Sequence, residues 1–209
     1  ETLLNLGKRH VFIWEEQAGE IHEEDAALRL AELARVEGGT FSGPSEGKMV
    51  LTAQCPGMFR VNVDLLRRID SIPDITICTL PDHYPMQPGA KLASMRIVPL
   101  VTKEENIIKA EQLCAGSDTP LLELVPYQKK KVGIIITGSE IYTGRIKDLF
   151  QPVIRKKVAP FGAEVLGCTF CDDDLPMLEN AIQEYLAQGA ELIVMTGGMS
   201  VDPDDVTPT

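Results

Sequence analysis

Residues 131–137 read KVGIIIT, and this stretch decides the fold of the second half of the chain. A continuous apolar run of this kind is typical of a strand that is covered on both faces, as the strands of parallel sheets are. Apolar residues then recur at helical spacing from Ile146 to Phe161, and Gly162 follows them. The pattern predicts a buried strand followed by a helix that begins near Ile146.

The same alternation of strand and helix continues toward the end of the chain. Residues 165–170 predict a second strand, residues 175–188 a second helix and residues 192–195 a third strand. Short links between such elements indicate parallel pairing with right-handed crossovers. We therefore predict a three-layer α/β domain with a parallel sheet over residues 121–209.

Residues 1–120 have a different pattern and predict a smaller α+β domain that is rich in β-strands. A strand-like stretch at 11–14 precedes a helix whose apolar stripe we place on Ile21, Leu28, Ala31 and Ala34. Short β-runs separated by Pro-Gly turns follow, and a helix over 103–114 closes the domain. Residues 115–120 read AGSDTP, which is typical of a linker, so the boundary is predicted between about 115 and 130. The predicted strands of this region are 49–53, 59–63, 75–80 and 92–98.

Composition excludes several classes of function. The net charge of −11 argues against non-specific binding to nucleic acid or to anionic membranes, because no surplus of basic residues can neutralise phosphates. No run approaches the roughly 20 apolar residues of a membrane span, so a cytoplasmic protein is expected. The chain begins at Glu1 and ends at Thr209 directly after a loop rich in Gly, Asp and Pro, so we expect an N-terminal portion of a longer protein.

The cysteines and histidines do not predict a metal or redox site. Five cysteines without framework spacing fit a reducing compartment. Cys168 and Cys171 form a lone CxxC, and Cys168 lies inside a predicted strand, where residues three apart point to opposite faces, so a structural role is favoured. His10, His22 and His83 are scattered and lack ligand spacing.

Ligands of open parallel sheets bind beyond the carboxyl ends of the strands, and this rule selects three segments. They are residues 137–145, 172–174 and 196–205, which share one edge of the predicted sheet. Gly197-Gly198 follows a buried strand and allows a sharp turn that brings backbone N–H groups against an anion, and Gly138 can do the same. The predicted helix near Ile146 would also present its N-terminus there. The edge therefore predicts an anion site.

Acidic residues in these segments sharpen the prediction. Asp173 and Asp205 would repel a phosphate unless a divalent cation lay between them, and Mg²⁺ suits carboxylates combined with a substrate phosphate. We interpret Asp174 as the N-cap of the helix that follows it. Arg145 and Lys147 are the cations placed to reach the crevice, although simple solvation explains them equally well. Ser139 and Ser200 have no histidine nearby in sequence, so the chain does not predict an activated serine.

The loops carry a family resemblance. Residues 196–208, TGGMSVDPDDVTP, resemble the signature loop of the molybdopterin-binding domain. Residues 205–208 match the Asp-Val-Thr-Pro of molybdopterin adenylyltransferases, and residues 197–201 match the Gly-Gly-x-Ser-Val of molybdopterin molybdenumtransferases. Residues 137–140 resemble the TGDEL of the latter, with Ser139 in place of Asp. Asp148 and Asp173 fall where the family carries aspartates, and residues 19–125 resemble the leading region of one subgroup.

This resemblance implies the front half of a molybdopterin-binding domain in molybdenum cofactor biosynthesis. It implies that Asp173 and Asp205 are catalytic and hold Mg²⁺ or molybdate, with ATP or AMP and molybdate as candidate co-substrates and a homo-oligomer as the assembly. One branch adenylates the pterin, and the other inserts molybdate and releases AMP. Because the loop combines features of both, the branch and transferase activity itself stay open. The implied pterin-binding residues are Thr137, Gly138, Ser139, Glu140, Asp148, Thr196, Gly197, Gly198 and Ser200.

Two other classes remain open. Competence-damage-type nucleotide pyrophosphatases, which hydrolyse ADP-ribose-type substrates, have a similar loop that residues 204–207 fit. Their loop usually has Gly-Pro-Thr where this chain has Ser200-Val201-Asp202, and they lack a leading region of this length. The third class is a non-catalytic carrier that stores or delivers molybdopterin.

Overall fold

A computed structural model describes residues 17–198, and the chain divides into two units, Glu1–Pro126 and Tyr127–Thr209. The strand predicted at 11–14, Ser200 and Asp205 lie outside the described residues. Within residues 17–198, no helix is long and apolar enough to cross a membrane.

The first unit is an α+β structure rich in strands, as predicted. Its strands form a four-stranded antiparallel sheet of order β2-β3-β7-β5, a three-stranded sheet of order β6-β4-β9 and the pair β1-β8. One apolar core, which includes Leu30, Leu51, Phe59 and Ile107, joins these sheets to the helices. The elements are β1 (Glu20–His22), α1 (Glu23–Leu33), β2 (Gly39–Ser45), β3 (Lys48–Ala53), β4 (Gly57–Val61), α2 (Val63–Asp70), β5 (Ile75–Thr79), β6 (Tyr84–Met86), β7 (Lys91–Ile97), β8 (Val101–Lys103), α3 (Glu104–Ala115) and β9 (Leu122–Pro126).

The buried face of α1 differs from the predicted stripe. Ile21 lies in β1, and the side chain predicted to point inward at Leu28 is 45% exposed. The buried helical residues are Ala26, Ala27, Leu30 and Ala31. Ile21, Ala31 and Ala34 are buried as predicted. The prediction was wrong only for Leu28, because alanines cover most of the buried face of the helix.

The strand β9 was not predicted. Residues 122–126 pair antiparallel with β4, from Leu122 opposite Val61 to Pro126 opposite Gly57. The structure therefore places residues 121–126 in the first unit, whereas the sequence assigned them to the second domain. The strand is short and follows a linker-like stretch, and its pairing partner lies far away in the sequence.

Arg29 links α1 to α3 through two carboxylates. Its guanidinium donates to both carboxylate oxygens of Glu111, at 2.7 and 2.8 Å, and to Glu104 Oε1 at 2.8 Å. The hydrogen bond from Arg29 lowers the pKa of Glu111 below that of an ordinary glutamate. The link holds the two helices together from a partly exposed position.

Replacing Arg29 by methionine is expected to destabilise the first unit by about 1 kcal/mol near neutral pH, because the pairs are partly exposed. A lowered folded-state pKa stabilises the fold above the ordinary glutamate pKa, and this contribution is lost as the pH falls through the lowered value. The difference between the variant and the wild type should therefore shrink in acid. Amide hydrogen exchange of α1 in the full chain measures this difference in stability at each pH. The control is Arg35→Met, which breaks only an exposed pair with Glu32. If Arg29→Met lost the same stability at neutral and at acidic pH, the prediction would be contradicted.

The second unit is a three-layer α/β structure, which confirms the predicted fold class. Its parallel sheet has the order β11-β10-β12. Val132, Ile134 and Ile136 of the central strand pack with Ile154 on one face, while Ile135 packs with Leu178 and Ala181 on the other. The elements are β10 (Lys131–Thr137), α4 (Ser139–Tyr142), α5 (Phe150–Val158), a 3-10 turn (Ala159–Phe161), β11 (Glu164–Cys171), α6 (Leu175–Ala187) and β12 (Leu192–Thr196).

The helix predicted to begin near Ile146 begins at Phe150. Asp148 Oδ1 accepts hydrogen bonds from the amides of Phe150 at 2.7 Å and Gln151 at 3.3 Å, which fixes the helix start there. Leu149 and Val153 belong to the predicted apolar periodicity but are 70% and 50% exposed. The predicted start was wrong because the apolar periodicity continues upstream of the capping aspartate.

The two cysteines of the CxxC pack on opposite faces of the sheet, as predicted. Cys168 joins the cluster of Ile134 and Ile136, and Cys171 joins that of Ile135. Both are free thiols, and burial raises the pKa of each. These environments favour a structural role over a reactive one.

Tyr185 packs its ring on two glycines of the sheet. A Cβ atom on Gly133 would lie 2.5 Å from Tyr185 Cγ, and one on Gly167 would lie 2.9 Å from the hydroxyl. The same hydroxyl is 3.0 Å from Thr169 Oγ1. The ring therefore occupies space that only a residue without Cβ leaves open.

Gly133→Ala is expected to destabilise the second unit by about 1–3 kcal/mol, the usual cost of overpacking a core. Hydrogen exchange of the β10 amides in the full chain measures the loss. Adding Tyr185→Leu to Gly133→Ala should cost less than the sum of the two single changes, because the smaller side chain relieves the overlap. Strict additivity of the two changes would argue against the contact.

Candidate functional site

The loops that follow the three strands of the second unit lie side by side. The amide of Gly138, after β10, donates to the carbonyl of Cys171 at the end of β11 at 3.2 Å. Thr137 Oγ1 approaches the carbonyl of Thr196, at the end of β12, at 3.5 Å. The central strand thus contacts both neighbours at the sheet edge where the sequence predicts the site.

Gly197 makes the closest of these approaches. A Cβ atom at this position would lie 2.0 Å from the carbonyl oxygen of Thr137. Its φ of +96° and the φ of +54° at Gly198 are in the left-handed region that favours glycine. Only glycine lets the chain leave β12 in this direction while touching the end of β10.

Ser139 connects the end of β10 to two aspartates at the end of β11. Its hydroxyl donates to Asp172 Oδ1 at 2.6 Å, and its amide donates to Asp173 Oδ2 at 3.2 Å. Asp172 Oδ1 also accepts the amide of Asp173 at 2.9 Å. The Ser139 hydroxyl, followed by the Asp173 amide, lowers the pKa of Asp172. The three residues form one hydrogen-bonded network.

One atom of this network has no hydrogen-bond partner. Asp173 Oδ1 is buried and accepts no hydrogen bond from any described residue. A buried carboxylate oxygen of this kind suits a hard cation such as Mg²⁺. No group of three or more His, Cys, Asp or Glu side chains able to hold a metal occurs in residues 17–198, and Asp205, the other predicted ligand, lies outside that range.

Two further aspartates act as helix caps. Asp174 Oδ1 accepts from the amide of Met177 at 3.5 Å at the start of α6, which confirms its predicted role as an N-cap. Asp148 caps α5, so its carboxylate is engaged within its own loop. Glu140, Arg145 and Lys147 are exposed on the segment between β10 and α5.

The structure brings six of the predicted site residues together at the sheet edge, and their geometry is described above: Thr137, Gly138, Ser139, Asp173, Thr196 and Gly197. Gly198 continues the same turn. Asp172 lies in the predicted segment 172–174 but was assigned no role of its own. No sequence pattern pairs it with Ser139, because the hydrogen bond joins residues 33 positions apart on two loops.

Residues 133–209 match the family model described as "Probable molybdopterin binding domain". The resemblance predicted from the loops is thereby confirmed for this segment. The match contains all the residues of the candidate site.

Individual relatives are similar to part of the chain. The CinA-like protein of Mycobacterium sp. (strain JLS) is 36% identical over 77 residues, which are 37% of this chain and 18% of the relative. The chain therefore spans a small part of the curated relatives that it matches. A molybdopterin biosynthesis protein from Mycobacterium abscessus is 28% identical, with 38% of this chain and 49% of that one covered and a TM-score of 0.36. The protein CinA with unknown function from Thermoplasma acidophilum is also 28% identical, with coverages of 38% and 46% and a TM-score of 0.36.

Proposed function

We propose that this chain, whose residues 133–209 match the molybdopterin-binding domain family, binds molybdopterin in the cytoplasmic biosynthesis of the molybdenum cofactor. One observation carries the proposal: the ends of three parallel strands lie side by side, two of them followed by glycine turns and the third by a carboxylate with an unpartnered buried oxygen. This edge is where parallel sheets bind ligands. Glycine turns admit a phosphate close to the backbone, and the carboxylate suits the cation that accompanies it.

The proposed site neutralises charge between groups that would otherwise repel each other. The pterin phosphate and the carboxylates of Asp173 and Asp205 are all negative. Mg²⁺ held by the two aspartates would offset this repulsion and fix the phosphate against the turn at Gly197. Both aspartates and the metal are part of the proposal.

The proposed chemistry is the positioning of a pterin for adenylyl or molybdate transfer, without a covalent enzyme intermediate. Ser139 is poorly suited as a nucleophile because its hydroxyl donates to Asp172, a carboxylate whose lowered pKa makes it a weak base. The described histidines, His22 and His83, both lie in the first unit. The proposed role of these residues is therefore to bind and align the reactants so that the adenylyl group or molybdate passes directly to the pterin.

The second candidate is a nucleotide pyrophosphatase of the competence-damage type. The observation that favours it is the similarity of 77 residues of this chain to CinA-like proteins, a name compatible with this class. Such an enzyme would use the same sheet edge and the same cation to bind a diphosphate.

Calorimetric titration of the full chain with molybdopterin and with ADP-ribose, each with and without Mg²⁺, separates the two candidates. We expect tight binding of molybdopterin that depends on Mg²⁺ and no binding of ADP-ribose. Turnover with ATP or with molybdate would then identify the branch, and binding without turnover would indicate a carrier. Binding and hydrolysis of ADP-ribose alone would replace our proposal with the pyrophosphatase.

A further inference from the structure

The two outer layers of the second unit carry opposite charges. The helix α5 contains three cations and no acidic residue, and α6 contains Glu179 and Glu184 and no cation. The chain has no lysine or arginine at all after Lys157. Because α5 packs on the face of the sheet that includes Ile134 and α6 on the face that includes Ile135, the unit has a basic side and an acidic side.

The basic side exposes an apolar stripe. Leu149, at the start of α5, and Val153, one turn later, are 70% and 50% exposed. Lys156 and Lys157 follow Val153 by three and four positions, so both lie next to it on the surface of the helix. This stripe, which we call the α5 stripe, combines exposed apolar side chains with positive charge.

The acidic side exposes a second stripe on α6. Leu175 and Leu186 are 42% and 50% exposed, and Ile182 between them is partly buried. Glu179 lies four positions after Leu175 and three before Ile182, so these four residues form one row along the helix. This row, which we call the α6 stripe, combines exposed apolar side chains with negative charge.

The charges determine which stripes can meet between two copies of the chain. The net charge of −11 opposes contact between copies, and the basic α5 stripe is a surface that can overcome this repulsion. Two α6 stripes would oppose glutamates, and two α5 stripes would oppose lysines. The α5 stripe of one copy against the α6 stripe of another instead pairs lysines with a glutamate and covers apolar surface on both.

We propose that the second unit binds a second copy of this chain head to tail, with the α5 stripe of one copy on the α6 stripe of the next. Two different surfaces meet in such a contact, so a pair of copies leaves one stripe of each kind free. Further copies can then add until a ring closes. The family resemblance implies only a homo-oligomer, whereas the charges assign the surfaces and the orientation of the copies.

Sedimentation velocity of the full chain over a range of concentrations tests the proposal without any ligand. We expect the wild type to associate. Lys156→Glu alone and Glu179→Lys alone should each raise the dissociation constant at least about tenfold, because each places like charges opposite one another. Both side chains are exposed, so the fold should tolerate either change, and circular dichroism checks this. The double variant should recover association, because a lysine and a glutamate again face each other.

A second pair of variants tests the apolar part of the contact. Leu149→Ser should raise the dissociation constant about tenfold, because less apolar surface is buried on association. The matched control is Leu100→Ser in the first unit, where Leu100 is 49% exposed, and it should leave association unchanged.

Three results would overturn the proposal. The first is a wild type that stays monomeric at every concentration. The second is a double charge variant that associates no better than the single variants, because a contact between two α5 or two α6 stripes would not be restored by the exchange. The third is an equal effect of Leu149→Ser and Leu100→Ser.

Discussion

Gly197→Ala is expected to weaken the binding of molybdopterin about 100-fold. The new Cβ atom would lie 2.0 Å from the carbonyl oxygen of Thr137, so the backbone after β12 must move away from β10. A displacement of about 1 Å in a positioned site is enough for a loss of this size. The free energy of unfolding of the second unit should also fall by roughly 2–4 kcal/mol, because of the overlap and of the left-handed backbone.

Gly144→Ala is the matched control for this change. Gly144 also has a left-handed φ, +74°, but a Cβ atom there would meet nothing within 4 Å. We expect Gly144→Ala to lower the free energy of unfolding by only about 1 kcal/mol, because of backbone strain, and to leave the affinity for molybdopterin unchanged. Calorimetric titration and hydrogen exchange of both variants measure the two effects. Equal affinities of Gly197→Ala and Gly144→Ala would show that the contact between the strands does not shape the site.

Asp173→Ala is expected to abolish most of the Mg²⁺-dependent affinity while leaving the fold nearly unchanged. The loss of a partner in the outer shell of a metal typically costs 10- to 100-fold in affinity, so the loss of a direct ligand should cost at least about 100-fold. Folding should be little affected, because Asp173 Oδ1 makes no hydrogen bond within the described residues and Oδ2 accepts only long ones from the exposed Ser139, the shorter from its amide at 3.2 Å. Removing Mg²⁺ from the titration should erase the difference between Asp173→Ala and the wild type.

The neighbouring Asp174 supplies the control. Its side chain caps α6, so Asp174→Ala should destabilise the second unit by about 1 kcal/mol and leave the affinity unchanged. The two substitutions remove the same group from adjacent positions with opposite expected consequences. A loss of affinity in Asp174→Ala equal to that in Asp173→Ala would mean that the acidic segment acts through its overall charge.

The architecture of the second unit was predictable because burial on both faces leaves a strong pattern. The run from Val132 to Ile136 matches the central strand β10, which lies between β11 and β12. Once parallel pairing was predicted, the rule for strand ends selected the candidate site without further information. The turn at Gly197 followed from its position directly after a buried strand.

Other features depended on contacts that local patterns do not encode. The buried face of α1 is mostly alanine, and the start of α5 is fixed by Asp148 and not by the apolar periodicity. The hydrogen bond between Ser139 and Asp172 joins residues 33 positions apart, and it depends on the register of two parallel strands. A sequence pattern can predict that two loops meet but not which side chains pair.

Amide chemical shifts of the full chain during titration with molybdopterin and Mg²⁺ test the central claim most directly. We predict that the largest changes fall on Gly138, Ser139, Asp173, Gly197 and Gly198, at the carboxyl ends of the three parallel strands. Changes confined to residues 17–126, or the absence of changes at these five amides under saturating ligand, would contradict the claim that this sheet edge binds the pterin.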